Sequence, residues 1–129
     1  MTRASPYARE ARQRWGDTRA FQQSQQRAAA YSPADWIRIR AEAADIERRL
    51  AALMRRGDRA SARAPVALAE EHRQHLSRWF YDCSLALHRQ LGDMYAADER
   101  FAAHYDEVAL GLAGYLRDAI HANADRDGD

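Results

Sequence analysis

Apolar residues recur every three or four positions along most of the chain, a spacing that predicts α-helices. The clearest series follows Ser32-Pro33-Ala34-Asp35, where a serine and an aspartate three residues later are typical of a capping box. It ends at Gly57, because glycine favours the end of a helix. We expect its apolar face to pack inside the molecule, with a dimer seam as the alternative. The apolar positions are Trp36, Ile39, Ala43, Ile46, Leu50 and Leu53.

A second series predicts a helix from Pro65 to about Tyr81, and its inner face carries an imidazole, an indole and the only thiol of the chain. Trp and Cys are often buried, and a histidine on such a face is usually a hydrogen-bonded core residue. The spacing therefore predicts burial and does not by itself establish a use. The inner positions are Leu68, His72, Leu76, Trp79 and Cys83.

The second half of the chain predicts three more helices. One carries Leu87, Leu91, Met94 and Tyr95 on its inner face, and the next begins at Asp98-Glu99. Gly111 separates that helix from the last one, and residues 123–129 are predicted to form a polar tail. No stretch alternates apolar and polar residues as a strand does, so the predicted fold class is all-α.

The first 31 residues have few apolar anchors. Tyr7, Trp15 and Phe21 are separated by polar residues, and the run 22–27 is polar nearly throughout. We expect residues 1–31 to form an N-terminal helical lid that is poorly ordered without something to pack on, and residues 32–129 to form the core of one domain.

Composition narrows the possible partners. The 129 residues carry a net charge of +1, with Arg and Glu interleaved, so no basic stripe for nucleic acid is present. One cysteine excludes an internal disulfide, and no apolar run approaches the ~20 residues of a membrane span. We expect a cytoplasmic protein that binds no nucleic acid directly and no membrane, and that is a monomer, with a dimer as the alternative.

The catalytic candidates are weak. His72 and His75 are three residues apart, whereas helical zinc ligands more often use a spacing of four. Cys83 with His88 resembles a nucleophile and base, but a buried inert thiol is the commoner outcome. No glycine-rich phosphate loop occurs. We therefore expect no enzyme, no metal and no cofactor.

Several motifs resemble the TipAS antibiotic-recognition domain, which forms the C-terminal half of MerR-type multidrug regulators and also occurs as a free protein. The resemblance implies a globin-like helical fold without haem, binding of peptide antibiotics such as thiopeptide- or albicidin-like molecules, and N-terminal helices that close over the ligand. The motifs are Arg14-Trp15-Gly16-Asp17-Thr18, Tyr81-Asp82-Cys83, Leu87-His88, Leu91-Gly92-Asp93-Met94-Tyr95 and Asp98-Glu99-Arg100-Phe101.

The resemblance also implies where ligand would bind and how. The cysteine that attaches covalently to thiopeptides in the family lies where this chain has Gln90, so we expect reversible binding. No helix-turn-helix half is present, which implies a sensor half or a free sequestering protein. The alternative is a structural or dimerising helical domain without a small-molecule ligand. The expected ligand-binding residues are Trp15, Trp36, Trp79, Tyr81, Asp82, Cys83, His88, Gln90 and Tyr95.

Overall fold

Residues 19–127, the part of the chain that the computed structural model describes, form six α-helices and no strand. The predicted all-α class is confirmed. The part of the predicted lid that precedes Arg19, including Trp15, lies outside the described residues. The helices are α1 (Arg19–Ala29), α2 (Pro33–Arg56), α3 (Arg63–Trp79), α4 (Leu85–Ala97), α5 (Glu99–Val108) and α6 (Leu112–Asp127).

Local polar contacts set several helix ends. Before α2, the Ser32 hydroxyl accepts the Asp35 backbone N–H at 3.2 Å and the Asp35 carboxylate accepts the Ser32 N–H at 3.0 Å, which confirms the predicted capping box. Gly57 ends the helix with φ of 93°, a left-handed conformation that glycine adopts without a steric penalty. Ser84 and Asp98 cap α4 and α5 through their side-chain oxygens.

Helix α6 lies at the centre of the core. Leu112, Leu116 and Ile120 are fully buried, and the helix packs against α2, α3, α4 and α5. Helix α2 contributes Ile39, Ile46, Leu50 and Ala51 as buried residues. Its apolar face is therefore used inside the chain, as we expected, and these positions are not available as a dimer seam.

The predicted end of α3 is correct to within about two residues, but the placement of Cys83 on its inner face was wrong. Helix α3 ends at Trp79, so Cys83 lies in a loop and not on the helix. At this end the Tyr81 N–H bonds to the Leu76 carbonyl, five residues back, and the Ser77 and Trp79 carbonyls accept Arg27 and the Tyr31 hydroxyl, so the i, i−4 pattern is not continued.

Residues 123–127 of the expected polar tail instead belong to the end of α6. Asn123 is buried, and its amide donates to Glu70 Oε1 at 2.9 Å, which holds this turn of α6 against α3. None of the described helices is long and apolar enough to cross a membrane.

Candidate functional site

Four aromatic residues meet where α1 ends, α2 begins and α3 ends, and we call this cluster the aromatic corner. The Tyr31 ring packs edge-to-face against Trp36 and Trp79, with ring centroids 5.6 and 5.4 Å away, and Phe80 lies 6.3 Å from Trp36. The Tyr31 hydroxyl donates to the Trp79 carbonyl at 2.5 Å. Tyr31 therefore anchors the connection between α1 and α2 to the end of α3.

The two tryptophans of the corner have different surroundings. Trp79 is only 7% exposed, its indole N–H donates to Glu42 Oε1 at 2.8 Å, and the Arg78 guanidinium lies 5.0 Å from its ring centroid. Trp36 is half-buried. Trp79 therefore forms the buried side of the aromatic corner, whereas part of the Trp36 ring remains accessible to a ligand.

Residues 80–84, which we call the Asp82 loop, join α3 to α4 and face α1. The Asp82 N–H donates to Gln23 Oε1 at 3.0 Å, and Gln23 Nε2 donates to the carboxylate at 3.4 Å. Arg27 donates to the other carboxylate oxygen at 3.0 Å and to the Ser77 carbonyl at 2.6 Å. Hydrogen bonds from Arg27 and Gln23 lower the pKa of Asp82, which keeps this carboxyl group ionised.

An open cavity of about 220 Å³ lies at this join, lined by Arg19, Ala20, Gln23 and Asp82. None of the eleven residues of α1 is buried. The helix thus adds no buried residue to the core, and Gln23 and Arg27 hydrogen-bond it to the Asp82 loop and the end of α3.

A polar brace fixes the Asp82 loop from the other side. Arg73 donates to the Cys83 carbonyl at 2.7 Å and makes a two-point ion pair with Glu70 at 2.9 and 2.6 Å. The Ser77 hydroxyl accepts the Cys83 N–H at 3.1 Å. Hydrogen bonds from Arg73, Asn123 and Gln74 outweigh burial and lower the pKa of Glu70 to about 2. Side chains of α3 therefore hold the backbone of the Asp82 loop in place independently of α1.

Two imidazoles form a buried histidine pair, His72 and His88, beneath the Asp82 loop. His72 Nδ1 lies 2.9 Å from His88 Nε2, and the rings are stacked. Burial lowers the pKa of His72 to about 3 and that of His88 to about 4, so both rings are neutral. His88 Nδ1 is buried without a hydrogen-bond partner among the described residues.

His75 is also buried but does not join the pair, because its Nε2 lies 3.4 Å from the Glu42 carboxylate. His72 and His75, which are three residues apart, thus contact different partners, His88 and Glu42. Within residues 19–127 no three His, Cys, Asp or Glu side chains are arranged to hold a metal ion.

Cys83 is 3% exposed, and burial raises the pKa of its thiol to about 11. Burial outweighs the opposite effect of the nearby Arg73 guanidinium, so the thiol lacks the accessible, low-pKa surroundings of a reactive thiolate.

The structure thus divides the predicted site residues into groups. Trp36, Trp79 and Asp82 come together around the end of α1. Gln90 is exposed on α4, and Trp15 lies outside the described residues. The remaining four, which lie in or against the core, are Tyr81, Cys83, His88 and Tyr95.

Sequence reasoning missed the residues that tie α1 to the loop. Gln23, Arg27 and Tyr31 are spaced by four, so they share one face of a helix, and that spacing is a signal that the polar character of the segment concealed. Glu42, the acceptor for Trp79, had no sequence signal apart from its place on α2.

The fold and this site define an all-α, globin-like domain with a helix held over an aromatic corner. The chain belongs to the TipAS family, because the model of the TipAS antibiotic-recognition domain matches residues 7–123.

Among its relatives, the chain is 47% identical over 120 residues to the HTH-type transcriptional activator TipA of Streptomyces lividans, covering 93% of this chain and 47% of TipA. It is 41% identical over 115 residues to the HTH-type transcriptional activator mta of Bacillus subtilis, covering 88% of this chain and 43% of mta. The chain therefore spans about half the length of the curated relatives it matches.

Two solved structures are similar to the whole fold or to most of it. TipAS from Streptomyces lividans in complex with nosiheptide, a thiopeptide antibiotic, superposes with a TM-score of 0.91 at 44% identity, covering 99% of this chain and 90% of that one. The antibiotic binding domain of a TipA-class multidrug resistance transcriptional regulator gives a TM-score of 0.66 at 46% identity, covering 71% and 98%.

Proposed function

We propose that this chain binds a peptide antibiotic of the thiopeptide class between α1, the aromatic corner and the Asp82 loop. The observation that carries the proposal is the attachment of α1, which buries no residue and is held to the loop by the side chains of Gln23 and Arg27. A helix attached in this way can leave and return at small cost, because its polar groups exchange protein partners for water.

The cavity is smaller than a typical ligand site, so a drug-sized ligand would need the helix above it to move. Sites for drug-sized ligands commonly enclose about 300–1,000 Å³, and the cavity at Arg19 and Asp82 is about 220 Å³. We propose that residues 1–31 act as the lid over a core formed by residues 32–129. The buried cluster that makes up the described hydrophobic core lies between Ile46 and Ile120, so the core does not depend on α1.

The chemistry of the corner suits flat ligands that carry amides. Half-buried aromatic rings such as Trp36 and Phe80 bury large area with few rotatable bonds, and the exposed Asp82 carboxylate adds a hydrogen-bond acceptor. We assign direct ligand contact to Trp36 and Asp82, with Trp79 beneath them. Contact with the deeper residues Tyr81, Cys83, His88 and Tyr95 would require the lid to open, whereas Gln90 is exposed on α4 and needs no such opening.

The similarity to the nosiheptide complex of TipAS supports this ligand class. The relatives that are HTH-type transcriptional activators support a role as the ligand-binding half of a regulator, and sequestration of the antibiotic is the other role that binding alone would serve. The proposed function is binding and involves no catalytic step.

Calorimetric titration with nosiheptide tests the proposal, with an albicidin-like compound and a simple hydrophobic drug in parallel. We expect nosiheptide to bind and Trp36→Ala to weaken its binding by about tenfold or more, because a half-buried aromatic anchor is lost. Ile37→Ala is the matched control, since Ile37 is the neighbouring residue and is 67% exposed. No binding of nosiheptide, or equal losses in both variants, would overturn the assignment.

A further inference from the structure

The side chain of Gln23 meets Asp82 at two points of the same residue. Its carbonyl oxygen accepts the Asp82 backbone N–H at 3.0 Å, and its amide nitrogen faces the carboxylate at 3.4 Å. The orientation of the amide is fixed by these partners, because an N–H needs an acceptor and a carboxylate needs a donor. Asp82 thus presents one donor and one acceptor to a single carboxamide.

A primary carboxamide offers the same pair of groups on one side, a carbonyl oxygen and the N–H next to it. We propose that Asp82 is the recognition point for a carboxamide of the bound antibiotic, and that Gln23 occupies this point when the site is empty. The inference rests on the proposed function, since it names the ligand group that the same site takes. The ligand therefore displaces Gln23, which acts as an internal competitor. The alternative is a clasp, in which Gln23 stays bound to Asp82 and holds α1 over the ligand.

The surroundings of Asp82 meet the requirements of such a receptor. Its side chain is 74% exposed, and the cavity of about 220 Å³ opens directly beside it. Arg27 pairs with the second carboxylate oxygen and keeps the group ionised, which strengthens its hydrogen bond to an amide N–H. Arg73 and Ser77 hold the neighbouring Cys83 backbone, so the Asp82 N–H is placed before ligand arrives.

The receptor should distinguish an amide from an ester. A methyl ester keeps the carbonyl acceptor and carries no charge, but it has no N–H to donate to the Asp82 carboxylate. The test therefore measures the dissociation constants of the full chain for a thiopeptide that ends in a primary carboxamide and for the same compound as its methyl ester. Each is titrated into the wild type, Asp82→Ala, Gln23→Ala and Gln26→Ala, an exposed glutamine of the same helix.

We expect the wild type to bind the carboxamide about tenfold more tightly than the ester, the usual effect of one hydrogen bond to a charged group. Asp82→Ala should bring this ratio close to one while the fold is retained, because the side chain is exposed. Gln23→Ala should tighten the binding of both compounds by about threefold and keep the ratio, because the competitor is gone. Gln26→Ala should change neither affinity.

An unchanged ratio in Asp82→Ala would overturn the carboxamide site, and weaker binding of both compounds by Gln23→Ala would show that Gln23 is a clasp. Both results leave the proposed function standing, because the thiopeptide still binds. Failure of the wild type to bind either compound would instead remove the proposed function and this site together.

Discussion

The thiol of Cys83 and the imidazoles of His72 and His88 lie in surroundings that suppress their charged forms. Burial is the largest cause for all three, since it removes water from the charged state. Their chemistry is therefore that of uncharged polar groups at neutral pH. Two measurable consequences follow, one for the attachment of ligand and one for stability.

Binding of thiopeptides should be reversible and should leave Cys83 unmodified. A thiol whose pKa is raised to about 11 has a very small thiolate fraction at pH 7.5, and its sulfur is closed off by the loop. After incubation with a thiopeptide that contains dehydroalanine, intact mass under denaturing conditions should show only the unmodified chain. An adduct that survives denaturation and is absent from Cys83→Ser would contradict this. Gln90→Cys is the comparison, because the resemblance places the family's attachment point there.

Stability should fall as the pH drops from 7 to 5. The buried histidine pair has a lowered pKa when folded, whereas in the unfolded chain each imidazole takes up a proton near pH 6.5. The unfolded state then binds more protons below pH 6.5, so the free energy of unfolding decreases, by about 2–4 kcal/mol for the pair. Glu70, with its pKa lowered to about 2, adds a loss of the same sign only below about pH 4.5.

Urea denaturation at pH 7, 6 and 5 measures this slope. The double variant His72→Gln/His88→Gln should show a flatter dependence. A wild-type free energy of unfolding that stays constant over this range would show that the pair is charged or accessible.

At the scale of helices, the sequence predicted well those features that depend on neighbouring residues. The capping box at Ser32 and the glycine stop at Gly57 involve contacts within four residues, and both are present. The way α3 ends could not be predicted, because its last carbonyls, those of Ser77 and Trp79, accept hydrogen bonds from Arg27 and Tyr31, which are distant in the sequence. Asn123 was assigned to a tail because its partner Glu70 lies on another helix.

Two glycines within helices, Gly92 and Gly114, should respond differently to substitution by alanine. A Cβ on Gly92 would lie 3.3 Å from the side chain of Ile120, which is fully buried and has little room to move. A Cβ on Gly114 would meet only the end of the Arg117 side chain at 3.9 Å. Gly114→Ala should raise the free energy of unfolding by about 0.5–1 kcal/mol through helix propensity.

Gly92→Ala should lose that gain to overpacking, and Gly92→Val should cost about 1–3 kcal/mol. Chemical denaturation of the three variants makes the comparison. If Gly92→Ala were as stabilising as Gly114→Ala, the contact between α4 and α6 would be looser than the structure indicates.

At the scale of the whole molecule, the candidate site lies at the boundary between the core and α1. The aromatic residues of this boundary were partly predictable, because Trp36 and Trp79 mark helix faces in the sequence. The polar contacts were not, since Gln23 and Arg27 acquire their role only when the Asp82 loop is placed opposite them. A polar helix face carries no signal of its partner, whereas an apolar face at least predicts that it is covered.

Deleting residues 1–31 should separate folding from binding. The described core cluster lies entirely within the remaining chain, so residues 32–129 should fold cooperatively, and among the described contacts they lose those of α1 and Tyr31. Full-length protein with nosiheptide at about 100 times its dissociation constant should gain about 2.7 kcal/mol in free energy of unfolding. The shortened chain should gain little at the same concentration, because the ligand is no longer covered.

Thermal and chemical denaturation of both chains, with and without nosiheptide, measure these changes. An equal gain in the shortened chain would place the ligand on the core alone, and failure of residues 32–129 to fold would contradict the division into lid and core.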